Sequence, residues 1–261
     1  MTPGVAYGPH PDQFLELFLP DGASPAPVVV VVHGGFWRAA YGVEPARPLA
    51  ADLAAAGFAA VAVEYRRVGA GGGWPETVQD LADALDALPG LEEAGRLDLS
   101  DVTVVGHSAG GHLAAWAAAR PLLPPGAPGA GPRVRVAAAV LQAGVLDLER
   151  AAEQDLGRGA VRNLLGGPPT PDVAALASPV RLLPTGAEVL CVHGTEDDVV
   201  PPEQSERYVQ AATRAGDRAE LRLVPGDHMS LVDPEGPAWG LVREWLRSRA
   251  ARAAAGATLD P

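Results

Sequence analysis

Residues 102–120 read VTVVGHSAGGHLAAWAAAR. An apolar run, Val102 to Val105, passes through Gly106-His107-Ser108-Ala109-Gly110 into an alanine-rich segment with helical character. Strand, sharp Gly-x-Ser-x-Gly turn and helix are the context in which a serine is held on a strained elbow with its hydroxyl exposed. The flanking glycines let the turn close without Cβ clashes, and the first amides of the following helix favour negative charge at the serine. With 31 glycines in 261 residues, seven serines would give such a pentapeptide by accident about one time in ten. The pentapeptide is therefore weighed together with its setting and with its partners elsewhere in the chain.

A serine hydroxyl is a weak nucleophile until a base takes its proton, and the base needs an acid to orient it. Behind an elbow of this kind the acid comes next in the chain and the histidine last. Of the six histidines, only His193 and His228 lie well after Ser108. His228 sits in VPGDHMS, just past the apolar run ELRLV, and is the candidate base. His193 ends VLCVH and is read as a residue that caps its strand and shapes the next turn. The acid falls within HGTEDDVVP, where Glu196, Asp197 and Asp198 are consecutive and the residues alone leave the choice open. An oxyanion formed at Ser108 needs backbone donors. Ala109 supplies one, and the loop His33-Gly34-Gly35-Phe36-Trp37, directly after Val28–Val32, supplies the rest: Gly35 and Phe36 as donors, with Gly34 shaping the turn.

Taken together, HGGFW (33–37), GHSAGGH (106–112), HGTEDDVVP (193–201) and GDHMS (226–230) resemble the α/β-hydrolase superfamily. Within it, His-Gly-Gly-x-Trp beside a Gly-x-Ser-x-Gly elbow is most similar to the kynurenine formamidase-like branch. The resemblance covers residues from about 14 to 248. It implies a triad of Ser108, Asp197 and His228, because the pattern His-Gly-x-x-Asp-x-x-Val-Pro laid on His193–Pro201 selects Asp197 among the three acids. It also implies an arylformamidase of the N-formylkynurenine type. A general short-acyl carboxylesterase is the alternative, and a catalytically silent binding scaffold is the third reading.

The rest of the chain fits one α/β domain over residues 1–261. Runs at 14–20, 28–33, 58–65, 102–107, 134–141, 189–193 and 220–224 read as strands, several of them apolar throughout, as in a sheet covered on both faces. Helical patterns at 45–57, 75–88, after the elbow, at 202–216 and at 237–250 alternate with them. That order implies a mostly parallel central sheet with helices on both faces. The connection from about 147 to 184 is too long for a simple loop and is expected to form a small cap of one or two short helices over the pocket. Phe36, Trp37 and Trp74 could face an aryl group, or could simply pack the interior. Arg66 and Arg67 could bind a carboxylate, or could tie their strand end to an acid such as Asp80.

The net charge of −12 speaks against nucleic acid and anionic membrane partners. All 20 basic residues are arginine. The apolar runs are too short to span a bilayer, and no charged start followed by an apolar segment marks the N-terminus, so a cytoplasmic location is expected. A single cysteine, Cys191, reads as a buried strand residue. No metal-ligand spacing occurs, and acyl transfer through serine needs no cofactor. The expected partner is a small-molecule ester or amide; the oligomeric state, a homodimer included, stays open.

Overall fold

The computed structural model describes residues 4–22 and 24–257. In chain order its main elements are β1 (Val5–Ala6), β2 (Phe14–Phe18), β3 (Ala26–Val32), α1 (Ala46–Ala55), β4 (Ala59–Val63), α2 (Glu76–Ala87), β5 (Leu97–His107) and α3 (Ala109–Ala119). There follow β6 (Val136–Gln142), α4 (Leu148–Glu153), α5 (Ala160–Leu165), α6 (Pro171–Ala177), β7 (Glu188–Gly194), α7 (Glu203–Ala215), β8 (Arg218–Val224) and α8 (Pro237–Ala257). The strands form one sheet in the order β1-β2-β4-β3-β5-β6-β7-β8. From β4 to β8 every pairing is parallel, while β2 runs antiparallel to β4 and β1 antiparallel to β2.

The valine runs explain why both faces are covered. Val28, Val30 and Val32 of β3 and Val61 and Val63 of β4 point into a core shared with α2, α3 and α7. Their neighbours Val29 and Val31, with Ala60 and Ala62, point into a second core under α1 and α8. Side chains alternate across a strand, so a strand sandwiched between helix layers is apolar at every position. Burying each valine contributes about 1.5–3 kcal/mol.

The strand ends differ from the apolar runs in both directions: β2 and β4 are shorter than the runs at 14–20 and 58–65, and β5 is longer than the run at 102–107. β5 begins at Leu97, and its register shifts between Val102 and Thr103. The two-residue β1 is too short to carry a periodic signal.

The connection over 147–184 differs from the expected cap. It holds three helices, α4 to α6, and a 3-10 turn at Pro179–Arg181. Its apolar side chains, among them Val161, Leu164 and Ala177, are spent on the core next to α3. Trp116 Nε1 donates to Leu176 O (2.9 Å), and Trp74 N donates to Leu164 O (2.7 Å). The segment thus lies along α3 and beside the loop after β3, with Arg38 donating to Gly157 O. None of the residues that line the Ser108 cleft comes from it.

Candidate active site

Ser108 sits between β5 and α3 at φ 55°, ψ −117°, a conformation that costs a non-glycine residue about 1–3 kcal/mol. Backbone contacts hold it there: Ser108 N donates to Gln142 O (2.8 Å) at the end of β6, and Ser108 O accepts from His112 N (3.1 Å) in α3. The glycines around it are needed for close approach. A Cβ on Gly106 would stand 2.0 Å from Gly110 O, and one on Gly110 would stand 2.1 Å from Val32 O. Ala109 opens α3, so its N–H has no intrahelical partner.

Asp197 and His228 come from the loops after β7 and β8. Thr195 N donates to Val224 O (2.8 Å) and Glu196 N to Gly226 O (3.0 Å), which ties the two loops together. Across that seam Asp197 Oδ2 accepts from His228 Nδ1 at 2.7 Å. Asp197 Oδ1 accepts from Val199 N and Val200 N at 2.9 and 2.8 Å. Burial pushes the Asp197 carboxyl up, but hydrogen bonds from His193 and His228, with the Val200 N–H, hold it well below the usual carboxylate range. Glu196 and Asp198 are exposed. His193 is buried, with Nε2 2.8 Å from Val200 O and Nδ1 2.8 Å from Ser205 Oγ, so it shapes the turn that carries Asp197.

Ser108 and His228 line one cleft of about 320 Å³, with Gly34, Gly35 and His107 beside them. Its walls are Phe36, Tyr41, Pro45, Val199 and Met229. Among the described residues no hydrogen bond joins Ser108 Oγ to His228; such contacts often tighten only when substrate closes the site. Gly34 is pressed against the elbow, where a Cβ would lie 3.1 Å from Ser108 Cβ and 2.9 Å from His107 O.

The structure thus brings Ser108, His228, Gly34, Gly35 and Phe36 to one cleft and Asp197 to the far side of the His228 ring. Trp37 and Trp74 are placed elsewhere. Trp37 is 1% exposed, its ring edge-on to His112 at 5.2 Å, and Trp74 packs against the core. Arg66 grips Asp80 through Nε and Nη2, and Arg67 pairs with Asp12 and Glu64.

Other residues at the site were not singled out from sequence. His107 Nε2 donates to His228 O at 2.9 Å. Burial, and then the neighbouring His228, push its pKa down to about 3, so the ring is neutral. Gln142 Nε2 donates to Leu231 O in the turn after His228 (2.5 Å). Glu64 lies behind the loop that begins at His33 and is bonded to that residue. An acid inside the apolar run FAAVAVEY was the available signal, since buried charges are paired for a reason.

The sequence pattern of the BD-FAE family matches residues 15–211. Esterase LipC of Mycobacterium tuberculosis is 31% identical over 233 residues, 83% of this chain and 56% of its own length. The chain spans about half the length of the curated relatives it matches. Among solved structures, an esterase from Thermogutta terrifontis with propionate bound is 25% identical, with a TM-score of 0.76 over 96% of this chain and 93% of that one. Esterase B from Lactobacillus rhamnosis is 22% identical and shares the fold, with a TM-score of 0.81 over 97% and 87% of the two chains.

Proposed function

The chain belongs to the BD-FAE family of the α/β-hydrolase superfamily, and from that premise we propose that it is a serine carboxylesterase for small, uncharged esters. The observation that carries the reading is the 2.7 Å Asp197–His228 hydrogen bond, behind a histidine that shares its cleft with a strained Ser108. His228 Nε2 takes the Ser108 proton as Oγ bonds to the ester carbonyl carbon. The tetrahedral oxyanion rests on the backbone N–H groups of Ala109, Gly35 and Phe36. When it collapses, the alcohol leaves with the proton from His228. Water then attacks the acyl-enzyme, gives a proton to the same nitrogen and releases the acid, with the proton returning to Ser108. Asp197 stays ionised throughout, fixing the tautomer and stabilising the imidazolium.

The cleft supports the substrate class. Among the described residues that line it, none is Asp, Glu or Arg, so a charged substrate would be desolvated without a partner. About 320 Å³ is near the low end for ligand pockets, roughly 300–1,000 Å³, which suits acetyl to butyryl groups. The propionate in the Thermogutta esterase points the same way.

Aryl formamide hydrolysis, which the HGGFW resemblance implied, is not supported by the relatives found, and Trp37 is turned into the core rather than toward substrate. The deciding measurement is kcat/KM for p-nitrophenyl acetate and butyrate beside N-formylkynurenine, with Ser108→Ala as blank. Esters are expected to dominate. A clear preference for the formamide would overturn the substrate assignment, and failure of the folded protein to label with a serine-directed phosphonate would overturn the enzyme.

A further inference from the structure

We propose that His33, braced by Glu64, is the positioning residue that aims the Gly35 N–H into the oxyanion hole. The proposal rests on reading Ser108 as the nucleophile. His33 Nδ1 lies 2.8 Å from Gly34 O. The Gly34–Gly35 peptide is planar and trans, so its N–H points opposite to its C=O. Drawing the carbonyl back to the imidazole therefore turns the Gly35 N–H away from His33. Gly34 abuts Ser108, and both Gly34 and Gly35 line the cleft.

The loop needs an external hold because its own backbone does not favour this path. Gly35, Phe36 and Trp37 have φ of 109°, 52° and 55° in succession, and L-residues rarely adopt such values. The hold is Glu64, 4% exposed. Its Oε1 is 2.9 Å from His33 Nε2 and accepts from Tyr65 N (2.9 Å). Its Oε2 accepts from Val43 N (2.9 Å) and Arg67 Nη1 (3.1 Å). Glu64 thus pins the loop at its start, His33, and at its end, Val43. Tyr65 stacks on the His33 ring at 4.4 Å and donates its hydroxyl to His33 O at 2.9 Å. Both ring nitrogens face oxygens, Nδ1 the Gly34 carbonyl and Nε2 the Glu64 carboxyl group, so the ring is fixed from both sides.

Two substitutions separate positioning from bulk support. In His33→Asn the amide nitrogen can take the place of Nδ1 and keep the bond to Gly34 O while losing Glu64. In His33→Gln the amide reaches the Nε2 position, keeping Glu64 and releasing Gly34 O. The expected result is that His33→Gln lowers kcat on p-nitrophenyl acetate by about 10²–10³, the scale of a lost oxyanion donor, with KM little changed. His33→Asn should retain most of kcat. In a crystal structure of His33→Gln the Gly34–Gly35 peptide should be turned over, its carbonyl toward Ser108. Equal losses in the two variants, the reverse order, or an unturned peptide in His33→Gln would overturn the proposal. The peptide orientation reads out whatever the substrate is. An inactive, unlabelled wild type therefore counts against the esterase reading alone.

Discussion

Asp197 and Asp198 are neighbours in sequence and opposite in environment. Asp197 is buried, with one oxygen on two backbone N–H groups and the other on His228, whereas Asp198 is exposed. Asp197→Asn should put an amide where the imidazole must be oriented and lower kcat about 10⁴-fold, as loss of a triad acid does elsewhere. Asp198→Asn should leave kcat within about twofold, as a solvated turn carboxylate would. Steady-state kinetics on p-nitrophenyl butyrate check both, and comparable losses would mean that the acid has been misassigned. Sequence alone could not rank the three consecutive acids. Burial is set by how the β7 and β8 loops meet, and only the resemblance to a known pattern pointed to the middle one.

At the level of elements, the elbow depends on three backbones meeting without side chains between them. β5, α3 and β3 approach so closely at Gly106, Gly110 and Val32 that any Cβ on Gly110 would enter the Val32 carbonyl. Gly110→Ala should therefore destabilise the fold by about 1–3 kcal/mol or more, the scale of overpacking in a rigid site. Gly95→Ala, where nothing lies within 4 Å, should be neutral or slightly stabilising, within about 1 kcal/mol. Urea denaturation compares the two, and similar midpoints would remove the close-approach argument. The glycines were legible as a turn from the pentapeptide. Their second use, letting helix touch strand, was not, because it depends on which strand lies next to β5. The cap shows the same limit. Its short apolar groups announced helices, but the surface they would cover follows from the geometry of α3 and Trp116.

Among the described residues, His107 and His112 are buried histidines held neutral. Burial pushes them down to about 3 and about 4 from an ordinary value of 6.5. The His112 bond to Ala177 O and the His107 bond to His228 O only partly offset it. In the unfolded chain both take up protons near pH 6.5, while the folded chain refuses them until the pH is much lower. Stability is therefore fully present above pH 6.5 and falls as the pH drops toward 4, by about 1.4 kcal/mol per pH unit for each histidine. The depressed Asp197 carboxyl acts in the same direction at still lower pH, since its stabilisation is lost once the unfolded aspartate holds a proton. Urea midpoints should hold level from pH 7.5 to about 6.5 and then decline down to pH 4.5, with a shallower slope in His112→Gln. A flat profile would show that the histidines are not held neutral.

Local pattern was enough to determine the alternating strands and helices, the mostly parallel sheet covered on both faces, the serine on its elbow and the histidine after the last strand. Each of these rests on residues close together in the chain: valine runs that need two covering layers, glycines that permit one turn, a histidine at a strand end. Tertiary structure decided which acid reaches His228, which aromatic residues face the cleft, where the 147–184 segment settles, and that Glu64 stands behind the loop from His33 to Val43. Those depend on distances between segments tens of residues apart, fixed by strand order and by the packing of α3 on the sheet. The same apolar residue is as good for a core as for a pocket wall until its neighbours are known. That is why Trp37 could be read either way from sequence, and why burial placed it inside.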